Sequence, residues 1–328
     1  MRTFVLGSLL LLALLAWGLF VGGAPLSMSE VGAAFVAPLG LAESPANFIT
    51  IVWDLRIPRM VAAFCVGAAL ALAGALSQAL FRNPLADPFI LGTSAGASFG
   101  ITLAFLFNLT YLAPGWLAMP PFAFMGSIVV TALVVMIGRK GSALPVNTLL
   151  LAGVAANYLF VSLSMAIMAF GREILNRTVF WSLEGLAGAN WTSVWTILPG
   201  LVVASIVALF LAKPLNLLLL GEESALGLGL SVPSVKWLIV GLISLLTGVA
   251  VSISGLIGFV GLVVPHISRL LVGAHHRRLL PVSFVCGGIL LLGADNLARS
   301  ILPGSEIPVS VITALLGVPF FIYLLRKK

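Results

Sequence analysis

Charge is scarce in this chain. Of its 328 residues, 8% are Asp, Glu, Lys or Arg and 61% are hydrophobic. A soluble domain carries roughly 25% charged residues, so a fully water-facing surface is excluded. Ligand-type residues are equally sparse, with three histidines and two cysteines. Cys65 and Cys286 both fall in apolar runs, and two residues make no metal pattern. They are expected as packed thiols, and no metal site is expected. A Walker-type lysine loop, a His-Glu-x-x-His motif and a Ser-Lys or paired-Asp constellation are all missing from the sequence. The expectation is a chain with no catalytic residue and no bound cofactor of its own. A formal charge of +7 raises nucleic acid as a partner, but the basic residues stand singly or in pairs between apolar runs. They read as positive flanks of membrane helices, and no nucleic-acid partner is expected.

Long apolar runs and 34 glycines fill the remainder. Several runs exceed the roughly 18 residues that span a bilayer, and small residues let membrane helices approach closely. The chain therefore reads as an all-α integral membrane protein, a single domain over 1–328 with about ten transmembrane helices. The expected spans are about 3–22, 57–80, 91–109, 119–138, 146–170, 192–212, 236–253, 257–272, 279–298 and 307–325. The start resembles a signal peptide, but its apolar run is longer than a signal core, so it is read as a retained first helix. The seventh and eighth spans are separated only by the short link Ser252-Ile253-Ser254-Gly255.

The basic residues set the orientation. With both termini in the cytoplasm, Arg2, Arg82, Arg139, Lys140, Lys213, Lys236, Arg269, Arg277, Arg278, Arg326, Lys327 and Lys328 lie inside. Arg56, Arg59, Arg172, Arg177 and Arg299 lie outside. Twelve against five favours this topology over its inverse. Both termini are therefore expected on the inner side of the membrane. A weak internal repeat pairs Gly67, Gly74, Pro84 and Gly92 with Gly248, Gly255, Pro265 and Gly273, 181 residues later. The paired helices run oppositely, so the repeat would be inverted, as in many transporters. Pro84 and Pro265 are expected to break helices.

Five blocks carry chemistry. The first is Arg56-Ile-Pro-Arg59, followed by Gly67–Gly74, Gln78, Arg82-Asn83-Pro84-Leu85-Ala86-Asp87-Pro88 and Leu91-Gly-Thr-Ser-Ala-Gly96. The others are Gly221-Glu222-Glu223 with Ala225-Leu226-Gly227-Leu228-Gly229; Gly255 to His266 with Arg269; Asp295 with Arg299; and Glu306-Ile-Pro308 with Gly317 and Pro319. Pro58 suits the first turn of a helix, where the missing N–H costs nothing. Arg56 and Arg59 then share one side of a helix mouth. Asp295 and Arg299 are four apart, a spacing that favours an ion pair. In the turn 82–88, two prolines forbid a continuous helix, and Asn83 and Asp87 can satisfy freed backbone groups. The segment 214–233 is bounded by Pro214 and glycines and holds a short amphipathic piece whose Leu226 and Leu228 have no lipid to face. Glu222 could interact with a helix N-terminus. His266 reads as packed or hydrogen-bonded, and the pair His275-His276 as a solvated flank beside Arg277 and Arg278. Asn157, Tyr158, Ser162 and Ser164 make the fifth span polar, and polar groups at that depth face protein or a water-filled cavity.

In this order the blocks closely resemble the FecCD family of ABC permeases, from about residue 56 to the C-terminus. The resemblance implies an importer subunit for a ferric siderophore, haem or cobalamin, working by alternating access between periplasm and cytoplasm. It implies a second permease copy, two ATPase subunits that carry ATP and Mg, and a periplasmic binding protein. By the same resemblance Arg56, Arg59 and Arg299 would dock acidic groups of the binding protein. Gly221, Glu222, Glu223, Ala225, Leu226, Gly227, Leu228 and Gly229 would form the contact with the ATPase. The fifth and tenth spans would line the path, with Asn157, Tyr158, Ser162 and Ser164 on it. Asn83, Pro84, Asp87, Pro88, Pro265 and His266 would be structural. The competing reading is a carrier driven by an ion gradient, which commonly needs an ionisable residue at mid-membrane. Here the acids cluster at span ends, and Asp295 has Arg299 as partner.

Overall fold

The computed structural model describes residues 2–24, 26–111, 118–302 and 305–326, and for residues 2–6, 324 and 325 the backbone alone. The expected inner basic residues Lys327 and Lys328, and the side chain of Arg2, lie outside the described residues. Among those described, the chain is almost wholly helical. Its helices are α1 (Arg2–Phe20), α2 (Met28–Val36), α3 (Ala46–Thr50), α4 (Ile57–Leu80), α5 (Thr93–Leu106), α6 (Pro120–Gly138), α7 (Val146–Met168), α8 (Arg172–Glu184), α9 (Trp191–Phe210), α10 (Ala212–Leu218), α11 (Glu222–Gly227), α12 (Val232–Ser254), α13 (Val260–Val272), α14 (His276–Ser300) and α15 (Val309–Arg326). A helix stands at each of the ten expected spans, and six helices are long and apolar enough to cross a bilayer by length and composition.

The core is built on α4. Eighty-nine per cent of its most apolar window is buried, against 28% for α7 and α9, so α4 is the central pillar and α7 and α9 lie at the periphery. Glycine lets the neighbours close on it. A Cβ on Gly67 would sit 2.2 Å from the Gly287 carbonyl of α14, and one on Gly74 would sit 1.8 Å from the Gly261 carbonyl of α13. Gly96 of α5 and Gly126 of α6 meet in the same way. Close backbone approach of this kind is what drives membrane helices together when lipid is as apolar as the side chains. The exposed faces of α6 and α9 carry large apolar residues such as Met125, Val129, Met136, Val203, Ile206 and Phe210, as a lipid contact requires.

Four expectations need correction. Pro265 does not break a helix, because it lies inside α13. Its missing N–H leaves the Gly261 carbonyl without the usual partner four residues on. That carbonyl faces Gly74, where the absence of a side chain lets α4 pack against it. The pairs proposed for the repeat also diverge in their middle members. Gly74 is interior to α4, whereas Gly255 follows the end of α12 with φ +62°, and Pro84 stands in a turn while Pro265 is helical. The outer pairs do correspond: Gly67 and Gly248 are both mid-helix, and Gly92 and Gly273 both have positive φ. The link between the seventh and eighth spans falls at residues 255–259, later than the expected 252–255.

Lastly, the stretch between the first two expected spans, 3–22 and 57–80, holds helices of its own. Ser27 and Glu30 form a reciprocal capping box that starts α2. Beyond it, α3 runs without interruption through a π-helical turn, Ile51–Arg56, into α4. Trp53 locks this entry by donating its indole N–H to Phe35 O at 3.2 Å and stacking on the Phe35 ring.

Candidate functional site

Two charged clusters mark opposite ends of α4. The helix has 24 residues, so they stand roughly 36 Å apart at 1.5 Å per residue.

The first cluster gathers at the N-terminal end. Arg59 meets two carboxylates. Its Nη2 lies 2.8 Å from Asp295 Oδ1, and it donates to Glu306 through Nη1 (3.0 Å) and Nη2 (2.8 Å). Asp295 is fully buried and also faces Arg299, with Nε to Oδ2 at 3.1 Å. This is the ion pair expected from the spacing of four. Arg299 also donates to Val21 O at 2.9 Å and Asn296 Oδ1 at 2.7 Å. Arg56 donates to Leu19 O and, at 2.6 Å, to Ala24 O. The arginines therefore stitch α1, α4, α14 and the approach to α15 together.

Their accessibility differs from a plain docking surface. Arg56 is 4% exposed and Arg299 7%. Buried guanidinium groups with carbonyl and carboxylate partners are held in place, and the desolvation cost of a buried charge makes such partners obligatory. Of the three expected docking residues, Arg59 is the best placed to meet an outside group, since its second partner Glu306 is 37% exposed. A cavity of about 200 Å³ opens beside it, lined by Gly22, Arg56, Arg59, Arg299 and Glu306 among others. A wider one of about 500 Å³ runs from Arg59 and Glu306 past Phe180 and Glu184.

The second cluster lies where α4 ends. Arg82 takes a left-handed backbone, φ +46°, and opens the turn. Asn83 Oδ1 then accepts from Leu85 N at 2.9 Å, and Asp87 Oδ1 from Phe89 N at 2.7 Å. Both are the backbone-satisfying roles expected of a turn with two prolines. Asp87 is partly exposed by area, yet its carboxyl is packed round by protein, and burial pushes its pKa up to about 6 against the opposing pull of the Phe89 N–H. Gln78 bridges helices here, donating to Leu262 O at 3.1 Å and accepting from Arg269 Nη2 at 3.1 Å.

The expected ATPase contact is a short helix, α11, bounded by Gly221 (φ +103°) and Gly229 (φ +84°). Ala225 is fully buried, which fixes one side of α11 on the protein. Leu226 and Leu228 are 53% and 62% exposed, with Leu219 and Leu220 exposed nearby. Gly227 has open space where a Cβ would stand, and Glu223 is exposed. Glu222 stands in the first turn of α11, the helix-N-terminus position expected of it. It pairs with Lys236 of α12 at 2.7 Å, with Arg82 Nη2 3.9 Å away. Lys236, counted in the sequence among the inner positive flanks, is buried. So is His276, because Asn216 captures it, with Oδ1 3.0 Å from its backbone N and 2.8 Å from Nδ1. His275 meets Asn216 Nδ2 at 3.2 Å. His266 packs edge-on against Phe320, and its Nδ1 has no hydrogen-bond partner among the described residues.

The four polar residues of α7 divide. Tyr158 and Ser162, one turn apart, are exposed on one face. Asn157 instead donates to Phe89 O at 3.2 Å, and Ser164 is buried and bonds Phe160 O at 2.8 Å. Asn157 and Ser164 are thus occupied by packing, since membrane helices commonly satisfy hydroxyls on their own carbonyls. Leu315, Val318 and Pro319 on α15 line a shallow apolar groove of about 450 Å³.

A family model, the FecCD transport family, matches residues 9–327. The chain belongs to that family. It is 43% identical to the cobalamin import system permease protein BtuC of Halobacterium salinarum, over 90% of this chain and 78% of that one. It is 39% identical to the Fe(3+)-citrate import system permease protein YfmD of Bacillus subtilis, over 98% and 96% of the two chains. Among solved structures, one described as an inward-facing metal-chelate type ABC transporter superposes with a TM-score of 0.86 at 33% identity, covering 100% and 99% of the two chains. The chain is a permease of the ABC importer type, built from apolar helices.

Proposed function

We propose that this FecCD member is one of two identical permease subunits of an importer that moves a metal chelate or a cobalamin-like molecule across the bacterial inner membrane. Both termini stand in the cytoplasm on this reading, so the Arg59 cluster faces the periplasm and the Glu222 cluster the cytoplasm. Two ATPase subunits bind at α11 and supply ATP and Mg; a periplasmic binding protein delivers the cargo at the opposite end. The observation that carries the reading is the pair Leu226 and Leu228. They are apolar and exposed on a short helix pinned by a charged cluster. A cluster of charge with a buried lysine belongs at a water-facing end, where the leucines find no lipid, so a protein partner is the remaining way to cover them.

The cargo is a ferric siderophore, haem or cobalamin, with the siderophore first. The sequence of α7 contains no Asp, Glu, Lys, Arg or His, which suits a large chelate held by shape and released. The test is composition followed by cargo. Purify the chain with its co-expressed ATPase and measure the mass of the intact complex. Two permeases and two ATPases support the reading; a single permease without a related second one contradicts it. Then titrate the cognate binding protein with ferric hydroxamate, ferric citrate, haem and cobalamin.

A further inference from the structure

Lys236 is a buried cation that the proposed function has not used. It stands one turn into α12 and is 3% exposed. Its Nζ has two partners: Glu222 Oε1 of α11 at 2.7 Å and Leu144 O at 2.9 Å. Leu144 is buried in the turn that joins α6 to α7. Trp237, the next residue, donates its indole N–H to Ser142 O of the same turn at 3.4 Å. On the other side, Arg82 at the end of α4 approaches the Glu222 carboxylate at 3.9 Å. One carboxylate on α11 therefore sits beside cations from α4 and α12, and one of those cations also holds the α6–α7 turn. The 300 Å³ cavity lined by Arg82, Leu144, Glu222 and Lys236 keeps this junction from being solid apolar packing.

Burial decides what the pair can do. An exposed ion pair contributes about 0–1 kcal/mol and gives way easily. The Lys236 ammonium is buried while the Glu222 carboxylate is 37% exposed. Without the carboxylate the ammonium keeps only the Leu144 carbonyl, so separating the pair costs more than separating an exposed one. Apolar contact alone would let α11 slide, because a helix of one and a half turns has little surface to grip.

We propose that the Glu222–Lys236 pair is the joint through which α11 moves α12 and the α6–α7 turn, with Lys236 as the positioning residue. The proposal rests on α11 being the ATPase contact. A push on Leu226 and Leu228 is then transmitted as a rigid-body motion to α12, which packs on α4 and α9, and so to the membrane-crossing body. Lys236 touches neither ATP nor cargo; it acts through Glu222.

The experiment uses the assembled permease–ATPase complex with its binding protein. Compare parent, Lys236→Met and Glu222→Gln for cargo moved per ATP hydrolysed, and for hydrogen exchange at 222–227 and 232–240 with and without a non-hydrolysable ATP analogue. In the parent, the analogue changes exchange in both segments. In Lys236→Met the ATPase still co-purifies and 222–227 still responds, but the response at 232–240 is lost and cargo per ATP falls about fivefold or more; Glu222→Gln loses the 232–240 response and the cargo per ATP alike. Glu222→Gln keeps an acceptor for Lys236 and covers the case in which Lys236→Met fails to assemble. If 232–240 responds in the variants as in the parent, and cargo per ATP is unchanged, the joint is wrong. If 222–227 does not respond even in the parent, α11 is not the ATPase contact and the joint falls with it.

Discussion

Arg59 and Glu306 are joined by two near-parallel hydrogen bonds of 3.0 and 2.8 Å, the fork geometry in which a guanidinium binds a carboxylate most specifically. Arg59 is on α4 and Glu306 precedes α15, so this contact ties the N-terminal end of the pillar to the last helix. Because Arg59 already holds the buried Asp295, Glu306 is the carboxylate that an outside partner could replace. Glu306→Gln should therefore leave the fold intact and speed association with an acidic binding protein at low salt, with the gain lost at high salt. Surface-based association kinetics at two ionic strengths measures this. An unchanged rate at low salt removes Arg59 from the docking surface.

The neighbours of Arg59 behave differently. Arg299→Ala leaves buried Asp295 with a single cation and strips a partner from Val21 O and Asn296. Removing one partner of a buried pair costs about 3–5 kcal/mol. The variant should lose thermal stability in detergent before any binding defect can be read, whereas Arg172→Ala on the exposed start of α8 should not. Equal melting temperatures for the two variants would contradict the assigned burial.

Helix crossing at Gly74 makes a sharper structural test. Even the methyl of Gly74→Ala would stand 1.8 Å from the Gly261 carbonyl. Backbone cannot yield cheaply, and overpacking of this kind costs about 1–3 kcal/mol or more. Gly241→Ala on α12 meets nothing within 4 Å and removes a helix-weakening glycine, so it should be neutral or slightly stabilising. The two melting curves compared side by side decide it.

Asp87 yields a pH dependence. Its carboxyl titrates at about 6 when folded, against 3.8 for an unburied group. The folded state therefore holds this proton more tightly, so the contribution to stability is greatest below about pH 4 and is lost as pH rises through 6. Asp87→Asn keeps an oxygen to accept from the Phe89 N–H and never ionises. Between pH 4 and 7 the parent should lose stability relative to Asp87→Asn. A parallel course of the two curves would show that Asp87 is not buried in this way.

Much of this arrangement was legible in the sequence because the forces behind it are local or compositional. Apolar runs placed a helix at each of the ten expected positions, six of them long and apolar enough to cross a bilayer. The spacing of four found the Asp295–Arg299 pair, and the prolines with Asn83 and Asp87 found the turn. Relations set by tertiary packing were not legible. Nothing in the local sequence distinguishes Lys236, which is buried against Glu222, from Lys213, which is exposed. His276 looked like a flank because its partner Asn216 lies 60 residues away. Pro265 looked like a breaker because the fault it leaves is absorbed by Gly74 on another helix. The pattern Ser27-x-x-Glu30 is a local helix-start signal, but α2 was missed because it is too short to stand out as a bilayer-spanning run. Asn157 and Ser164 could not be told from Tyr158 and Ser162, since all four share one polar stretch and only packing separates them.

The central claim is that this chain moves cargo only when an ATPase is seated on α11. Leu226→Asp is the direct probe, because Leu226 is half-exposed and a surface substitution away from buried contacts changes stability by no more than about 0.5 kcal/mol. Reconstitute the parent and Leu226→Asp chains in liposomes, each with and without the ATPase, with the binding protein and radiolabelled cargo on the side of the Arg59 cluster. The account predicts ATP-dependent uptake by the parent with its ATPase, none by the chain alone, and none by Leu226→Asp despite an unchanged melting temperature. Uptake by the chain alone driven by an ion gradient, or full ATP-driven uptake by Leu226→Asp, would contradict it.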